Sequence, residues 1–350
     1  MSNQNNLLAV PPSTMKQMAL DCFFAGITPM VWGPPGVGKS EIIKQIAEEL
    51  NLLLIDIRLT TCDITDLNGF PDNSGKKASY KVFDTFPIVG DELPVRENGE
   101  AYDGWLIFLD ELPSVSPAMQ ASAYKLILDR MVGQHSLHKR CVLAAAGNDI
   151  HHGAISSGMG TAAGTRMCHI NLEPSLEEWV KYATKQGIDH RIISFLQYKP
   201  DLLHNFSKHT DDKTHPNPRT WFHVSRLIKN HPKLDHSYHL PLVAGNIAPA
   251  AAGQFITYAE IYKDLVTFEE IVKDPSGCKL PQEAANTFAV TGVIIDNISK
   301  KTLKEVITYT RRLSFEFQVI VMRGIMEKIY DVTEDENFAE FMSEVIVDMT

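Results

Sequence analysis

The sequence predicts an α/β fold, a parallel five-stranded sheet flanked by helices, followed by a remainder that is helical throughout. Three observations lead there. Five short apolar runs are separated by stretches long enough for crossover connections, the pattern of a parallel sheet. A glycine-rich segment, Gly33 to Ser40 (GPPGVGKS), stands between the first run and an amphipathic helix. From Glu173 onward the strand-like runs stop and apolar residues recur at helical spacing.

The chain begins polar and turns apolar around Met18, Ala19, Leu20, Cys22 and Phe23, which predicts a short helix before the first strand, Ile27 to Trp32 (ITPMVW). Gly33, Pro34, Pro35, Gly36, Val37, Gly38, Lys39 and Ser40 then satisfy the pattern G-x-x-x-x-G-K-[ST]. Glycines let backbone N–H groups turn inward around an anion, Lys39 reaches terminal phosphates and the Ser40 hydroxyl suits Mg²⁺. Ile42, Ile43, Ile46, Ala47 and Leu50 form one face of the following helix, with Glu41, Lys44, Gln45, Glu48 and Glu49 opposite. The N-terminus of that helix, where Glu41 lies, points at the bound phosphates.

Residues 51–58 (NLLLIDIR) read as a second buried strand. Leu59 to Gly104 is broken by glycine and proline, so loops and a hairpin are expected, in a stretch long enough to be functional. Trp105 to Leu109 (WLIFL) is a third strand running into Asp110 and Glu111. Two acids at a strand end fit phosphoryl transfer, with Asp110 holding Mg²⁺ and Glu111 polarising a water. Ser116 and Pro117 start a helix whose apolar face carries Ala121, Tyr124, Ile127 and Leu128, and Arg130 reads as a surface arginine at its end.

Met131 to Arg140 reads as a hairpin or loop before a fourth strand, Cys141 to Ala146. That strand closes on Gly147, Asn148 and Asp149, where Asn148 is either a contact for the γ-phosphate and lytic water or a plain turn asparagine. Residues 150–165 are small and glycine-rich, which predicts mobility, and Arg166 precedes a fifth strand, Met167 to Leu172. Ser175 and Glu178 form a capping box for the first of several helices, with others over 218–229, 249–262, 284–298, 301–329 and 338–347. His231, Asp235, His236 and His239 surround Pro232 in a polar connection and match no metal spacing, so a solvated loop is expected; the same holds for His151 and His152.

At 350 residues, 44% hydrophobic and 22% charged, the chain suits one large or two to three smaller domains with real cores. No uninterrupted apolar run reaches the ~18 residues of a membrane span, and the N-terminus lacks the pattern of a secretion signal. Five cysteines, odd in number and without a C-x-x-C pair, suggest neither a disulfide framework nor zinc, and fit the cytoplasm. A net charge of -10 disfavours nucleic acid and makes protein the expected partner.

Strands alternating with helices, the phosphate loop after the first, DE after the third, asparagine after the fourth and arginine before the fifth resemble the AAA+ ATPases. Within them, FLDELPSVSPAMQASAYKLILDR (Phe108 to Arg130), AAAGND (Ala144 to Asp149), INLEPSLEEWVKYA (Ile170 to Ala183) and PNPRTW (Pro216 to Trp221) resemble the MoxR family. The likeness runs over roughly residues 10–265. It implies an AAA+ P-loop core over 1–172, a helical lid over 173–270 and a helical extension over 271–350. By the same resemblance Gly33 to Ser40 is Walker A, Asp110 and Glu111 are Walker B, Asn148 is sensor 1, Arg166 the arginine finger and Arg219 sensor 2, with a place at the subunit interface as the alternative for Arg130. Met167 stands where the family commonly has an aromatic residue after the finger.

What the resemblance implies is Mg²⁺-dependent hydrolysis of ATP in a homo-oligomeric ring, usually hexameric, that remodels a protein client. A partner with a von Willebrand factor A domain is implied too. The competing expectations are a nucleic-acid motor or GTP-driven restriction subunit, and a switch that binds nucleotide with little turnover. The acidic balance speaks against the motor, and the intact Glu111 against the switch.

Overall fold

The computed structural model describes residues 8–75, 77, 79–148, 164–206, 212–261 and 265–347. It divides into two compact units, Met1–Pro174 and Ser175–Thr350.

The first unit is built on a parallel sheet of six strands: β1 (Ala9–Val10), β2 (Thr28–Trp32), β3 (Leu52–Arg58), β6 (Gly104–Asp110), β9 (Cys141–Gly147) and β10 (Met167–Leu172), in the order β1-β10-β2-β9-β6-β3. The five expected strands are present. The sixth, β1, pairs only Ala9 and Val10 with Asn171 and Leu172, and two residues carry no period to read. Central strands are covered on both faces, which is why WLIFL reads as a continuous apolar run. Leu106 and Phe108 face α1 (Pro12–Phe24) and α2 (Lys39–Glu49) with Met15, Ile43 and Ile46, while Ile107 and Leu109 join Met30, Met119, Leu126 and Leu143 on the opposite side.

Between β3 and β6 the glycine-broken stretch holds α3 (Ile64–Asn68), capped at both ends of a reciprocal box by Asp63 and Asp66, and a hairpin of β4 (Phe70–Asp72) with β5 (Ser79–Lys81). A second hairpin pairs β7 (Met131–Val132) with β8 (His135–Ser136). The Ser116 cap forms, its hydroxyl accepting from the Met119 amide at the start of α4 (Pro117–Tyr124). The helix does not continue regularly to Arg130: residues Lys125–Asp129 form a π turn, and Arg130 closes it in the left-handed region at φ 53°. Arg130 is half-buried, its guanidinium donating to the Cys141 carbonyl, so it is not the surface arginine expected. His151 and His152, Asp149 and all but the end of the glycine-rich stretch 150–165 lie outside the described residues.

In the second unit every regular element among the described residues is helical. Ser175 caps Leu176–Lys185 by accepting from the Glu178 amide at 3.4 Å. One apolar core gathers Trp179 with Phe195, Trp221 and Phe255, and the rings of the last three meet at centroid distances of 5.4 to 5.8 Å. A second gathers Ile271, Val306, Tyr309, Val321, Ile325, Phe338 and Phe341. Two expectations need correction. The helical pattern over 301–329 is broken into Leu303–Thr310 and Phe315–Lys328 by a turn in which the Arg312 and Leu313 amides bond back to Tyr309 and Thr310. The histidine connection is not simply solvated either, because His239 begins the helix His239–Ile247 and is 3% exposed, with Nδ1 3.0 Å from the Asp235 carboxylate. The backbone amides and neighbours around that carboxylate, first the Tyr238 amide, hold Asp235 down to about 2.

Candidate functional site

In a parallel sheet the strands all end on one edge, and the segments leaving that edge form the natural ligand crevice. Trp32 aligns with Gly147, Leu109 with Ala145 and Arg58 with Asp110, so the residues following β2, β6 and β9 emerge side by side. The phosphate loop leaves β2 there. Gly38, at φ 106°, caps the start of α2 in a conformation that L side chains rarely adopt. Gly33 passes so close to β10 that an added Cβ would lie 2.8 Å from the Leu172 carbonyl oxygen. Val37 points inward and is buried with Ile43 and Ile46, which pins the loop to the sheet. Pro35 and Gly36 are half-buried at its outer turn, and Glu41 lies in the first turn of α2.

Lys39 is 8% exposed, and its ammonium donates to the carbonyls of Gly33 and Pro34 at 2.8 and 2.9 Å and to Asn148 Oδ1 at 2.8 Å. The asparagine at the end of β9 is therefore more than a turn residue: it touches the loop lysine. Gly147 before it lets β9 approach Pro113, where an added Cβ would lie 2.4 Å from the proline ring. Ser40 Oγ donates to Asp110 Oδ2 at 3.2 Å. A hydroxyl and a carboxylate side by side are the hard oxygen donors that suit Mg²⁺, so the residues present fit that ion. The neighbours Lys39 and Ser40 are thus brought together with Asp110 and Asn148, 70 and more residues along the chain.

Glu111 adopts the left-handed region at φ 62°, unusual for a glutamate. Its amide donates to Asp110 Oδ1 at 2.8 Å, its Oε2 accepts from the Thr60 hydroxyl, and Arg58 Nε lies 3.9 Å from Oε1. Neither Thr60 nor Arg58 was expected to matter. The signal that would have found them is topological: both sit at the end of β3, the strand beside β6. Arg166 is exposed between Gly164 and β10, and among the described residues it has no partner. Arg219 is exposed in the first turn of the helix Pro218–Ile228, capped by Asn217 and Thr220, and belongs to the second unit. A cavity of about 410 Å³ in that unit, lined by Leu176, Val180, Ile193, Phe288, Ile320 and Arg323 among others, contains none of the predicted site residues.

Among the described residues no group of three or more His, Cys, Asp and Glu side chains could hold a metal ion, and no helix is long and apolar enough to cross a membrane. None of the curated proteins matches the chain. Among solved structures, NtrX from Brucella abortus in complex with ADP aligns at 13% identity and a TM-score of 0.39 over 95% of this chain and 65% of its own. The RuvB Holliday junction branch migration motor of Thermotoga maritima aligns at 14% identity and 0.35 over 75% of this chain and 74% of its own. The chain thus spans slightly less than two thirds of the length of NtrX, and likeness at this level assigns no activity. The model of the ATPase family associated with various cellular activities (AAA) matches residues 29–157, which begin in β2 and take in the phosphate loop, Asp110, Glu111 and Asn148. Residues 29–157, just over a third of the chain, are thus similar to an ATPase domain of the AAA type, and they lie here on a parallel sheet with the loop at the strand ends.

Proposed function

We propose that the chain is a Mg²⁺-dependent ATPase of the MoxR kind, acting as a homo-oligomeric ring that uses ATP binding and hydrolysis to remodel a protein partner. The observation that carries the catalytic part is the meeting of Lys39 with Asn148 and of Ser40 with Asp110 at one sheet edge. With ATP as substrate, a bound Mg²⁺ would supply charge neutralisation for the phosphate oxygens. The loop amides and Lys39 bind phosphate oxygens, Ser40 and Asp110 would hold the cation, Asn148 contacts the γ-phosphate or the lytic water, and Glu111 takes the proton of that water. Arg166, exposed and unpaired among the described residues, is the group offered to a neighbouring subunit. Residues 173–270 form the lid with Arg219 as its phosphate-sensing cation, and 271–350 an extension; of the second unit's two apolar cores, one draws mainly on residues 179–259, with Ala289 packed into it, and the other on residues 271–345. The acidic net charge of -10 favours a protein client, and a von Willebrand factor A domain partner belongs to the same reading.

The test is a pair of variants. Glu111→Gln keeps ATP binding and lowers turnover by about 100-fold or more, the scale of general-base catalysis, whereas Lys39→Ala loses binding itself. Wild-type turnover in Glu111→Gln would remove that residue from the mechanism, and tight nucleotide binding by Lys39→Ala would remove the loop.

A further inference from the structure

One side chain links the strand that runs into the phosphate loop with the turn that carries Arg166. The Trp32 indole N–H donates to His169 Nδ1 at 2.8 Å, with the two rings stacked at 6.0 Å and 14°. His169 Nε2 lies 2.7 Å from the Gly164 carbonyl oxygen. Met30 pairs with His169 and Trp32 with Asn171, so both rings stand on one face of the sheet, on neighbouring strands.

The chemistry of the partners fixes the protonation of the ring. An indole N–H can only donate, so Nδ1 must accept; a carbonyl can only accept, so Nε2 must carry the hydrogen. Both bonds are made only by the neutral, Nε2–H imidazole. The other tautomer would set donor against donor at Trp32 and lone pair against lone pair at Gly164, and the imidazolium would lose the indole bond.

Gly164 and Met167 bracket Arg166. The carbonyl of Gly164 is held by His169, and Met167 enters the ladder beside Thr28. Only Thr165 and Arg166 lie between these fixed points, so the backbone of the arginine has little slack, while its side chain is exposed. We infer that His169, as the Nε2–H imidazole between Trp32 and Gly164, is a positioning residue that sets where Arg166 is presented to the neighbouring subunit. This rests on the reading of Arg166 as a residue acting in trans. His169 touches no reacting atom; it acts through the turn.

The experiment uses full-length chains mixed as subunits. His169→Phe keeps a flat ring against Trp32 and loses both hydrogen bonds, and its own turnover falls about 10- to 100-fold, the cost of misplacing a positioned group by about an ångström. Its nucleotide affinity stays that of the parent, because its own loop is intact. Mixed with excess Glu111→Gln subunits, which lend an intact Arg166 and hydrolyse nothing appreciable themselves, turnover per His169→Phe subunit recovers. His169→Gln retains an N–H for the Gly164 carbonyl and falls between parent and phenylalanine variant; it carries the comparison if His169→Phe does not fold. Long-range ¹H–¹⁵N spectra of the unmixed parent show His169 as the Nε2–H tautomer.

Arg166→Ala run in the same mixtures separates the two ideas. If Arg166→Ala is rescued and the His169 variants are not, Arg166 acts in trans but His169 does not position it. If Arg166→Ala is not rescued, the reading of Arg166 falls and this inference with it. Parental turnover in His169→Phe, loss of its nucleotide affinity, or an Nδ1–H ring in the spectra each overturns the assignment.

Discussion

Glu111 is the residue on which local conformation and chemistry press hardest. A left-handed glutamate costs roughly 1–2 kcal/mol against ordinary backbone, and the surrounding contacts hold it there: the Asp110 carboxylate on its amide, the Thr60 hydroxyl and Arg58 on its carboxylate. Backbone in a sparsely populated region, at the end of a buried strand, marks a site where orientation matters more than stability. If Glu111 is the base of the proposed reaction, the Thr60 bond sets the direction of its carboxylate. A hydrogen bond to a carboxylate is worth about 1.5–3 kcal/mol, and losing it from the bound, reactive geometry costs about tenfold or more in rate. Thr60→Val is therefore expected to lower turnover about tenfold with nucleotide affinity unchanged, read as kcat against KM. Equal kinetics in the two proteins would make Thr60 a bystander.

At the scale of elements, the site depends on how closely β9 approaches the turn after β6. Gly147 and Pro113 are in such close contact that a single methyl must displace one of them. Gly147→Ala is expected to destabilise the fold by about 1–3 kcal/mol, as overpacking does, and to move Asn148 off the Lys39 ammonium. Denaturant melts measure the first effect and nucleotide affinity the second. Retained stability and affinity together would show that the strand end adapts freely. The loop, its helix and the acids after β6 were readable from the chain because each is a local pattern. Thr60 and Arg58 were not, because only the pairing of β3 with β6 puts them beside Glu111.

For the whole molecule, each unit assembles its apolar cores from its own residues: Met30, Leu109, Ile43 and Phe108 in the first, Trp221, Phe255, Val306 and Phe341 in the second. Residues 175–350 produced alone are expected to fold, with a cooperative thermal transition; a molten fragment without one would show that the second unit needs the first. The same fragment tests a pH effect. Burial lowers the His215 imidazole below its ordinary value of 6.5, and among the described residues its buried Nε2 has no hydrogen-bond partner, with the Phe206 ring 4.8 Å away. The unfolded chain therefore takes up a proton that the folded one refuses. Stability contributed by the neutral ring is present above about 6.5 and is lost as pH falls through that value toward the folded pKa. His215→Phe is expected to flatten the fall in melting temperature between neutral and mildly acidic pH, and an unchanged slope would assign the effect to other groups.

By itself the sequence determined the strand–loop–helix of the candidate phosphate site, the acids after the third strand, the helical character from Glu173 onward and the caps at Ser116 and Ser175. All of these depend on neighbours within a few residues, where period, glycine and capping side chains act directly. Only the tertiary structure decided that Asn148 meets Lys39, that Thr60 holds Glu111, that the helix after Ser116 ends in a π turn, that the pattern over 301–329 breaks in two and that His239 is buried. It also decided that His169 joins Trp32 to Gly164. These outcomes are set by which strands lie side by side and which surfaces the packed core covers. A one-dimensional pattern does not encode them, since residues far apart in the chain become neighbours only when the sheet is assembled.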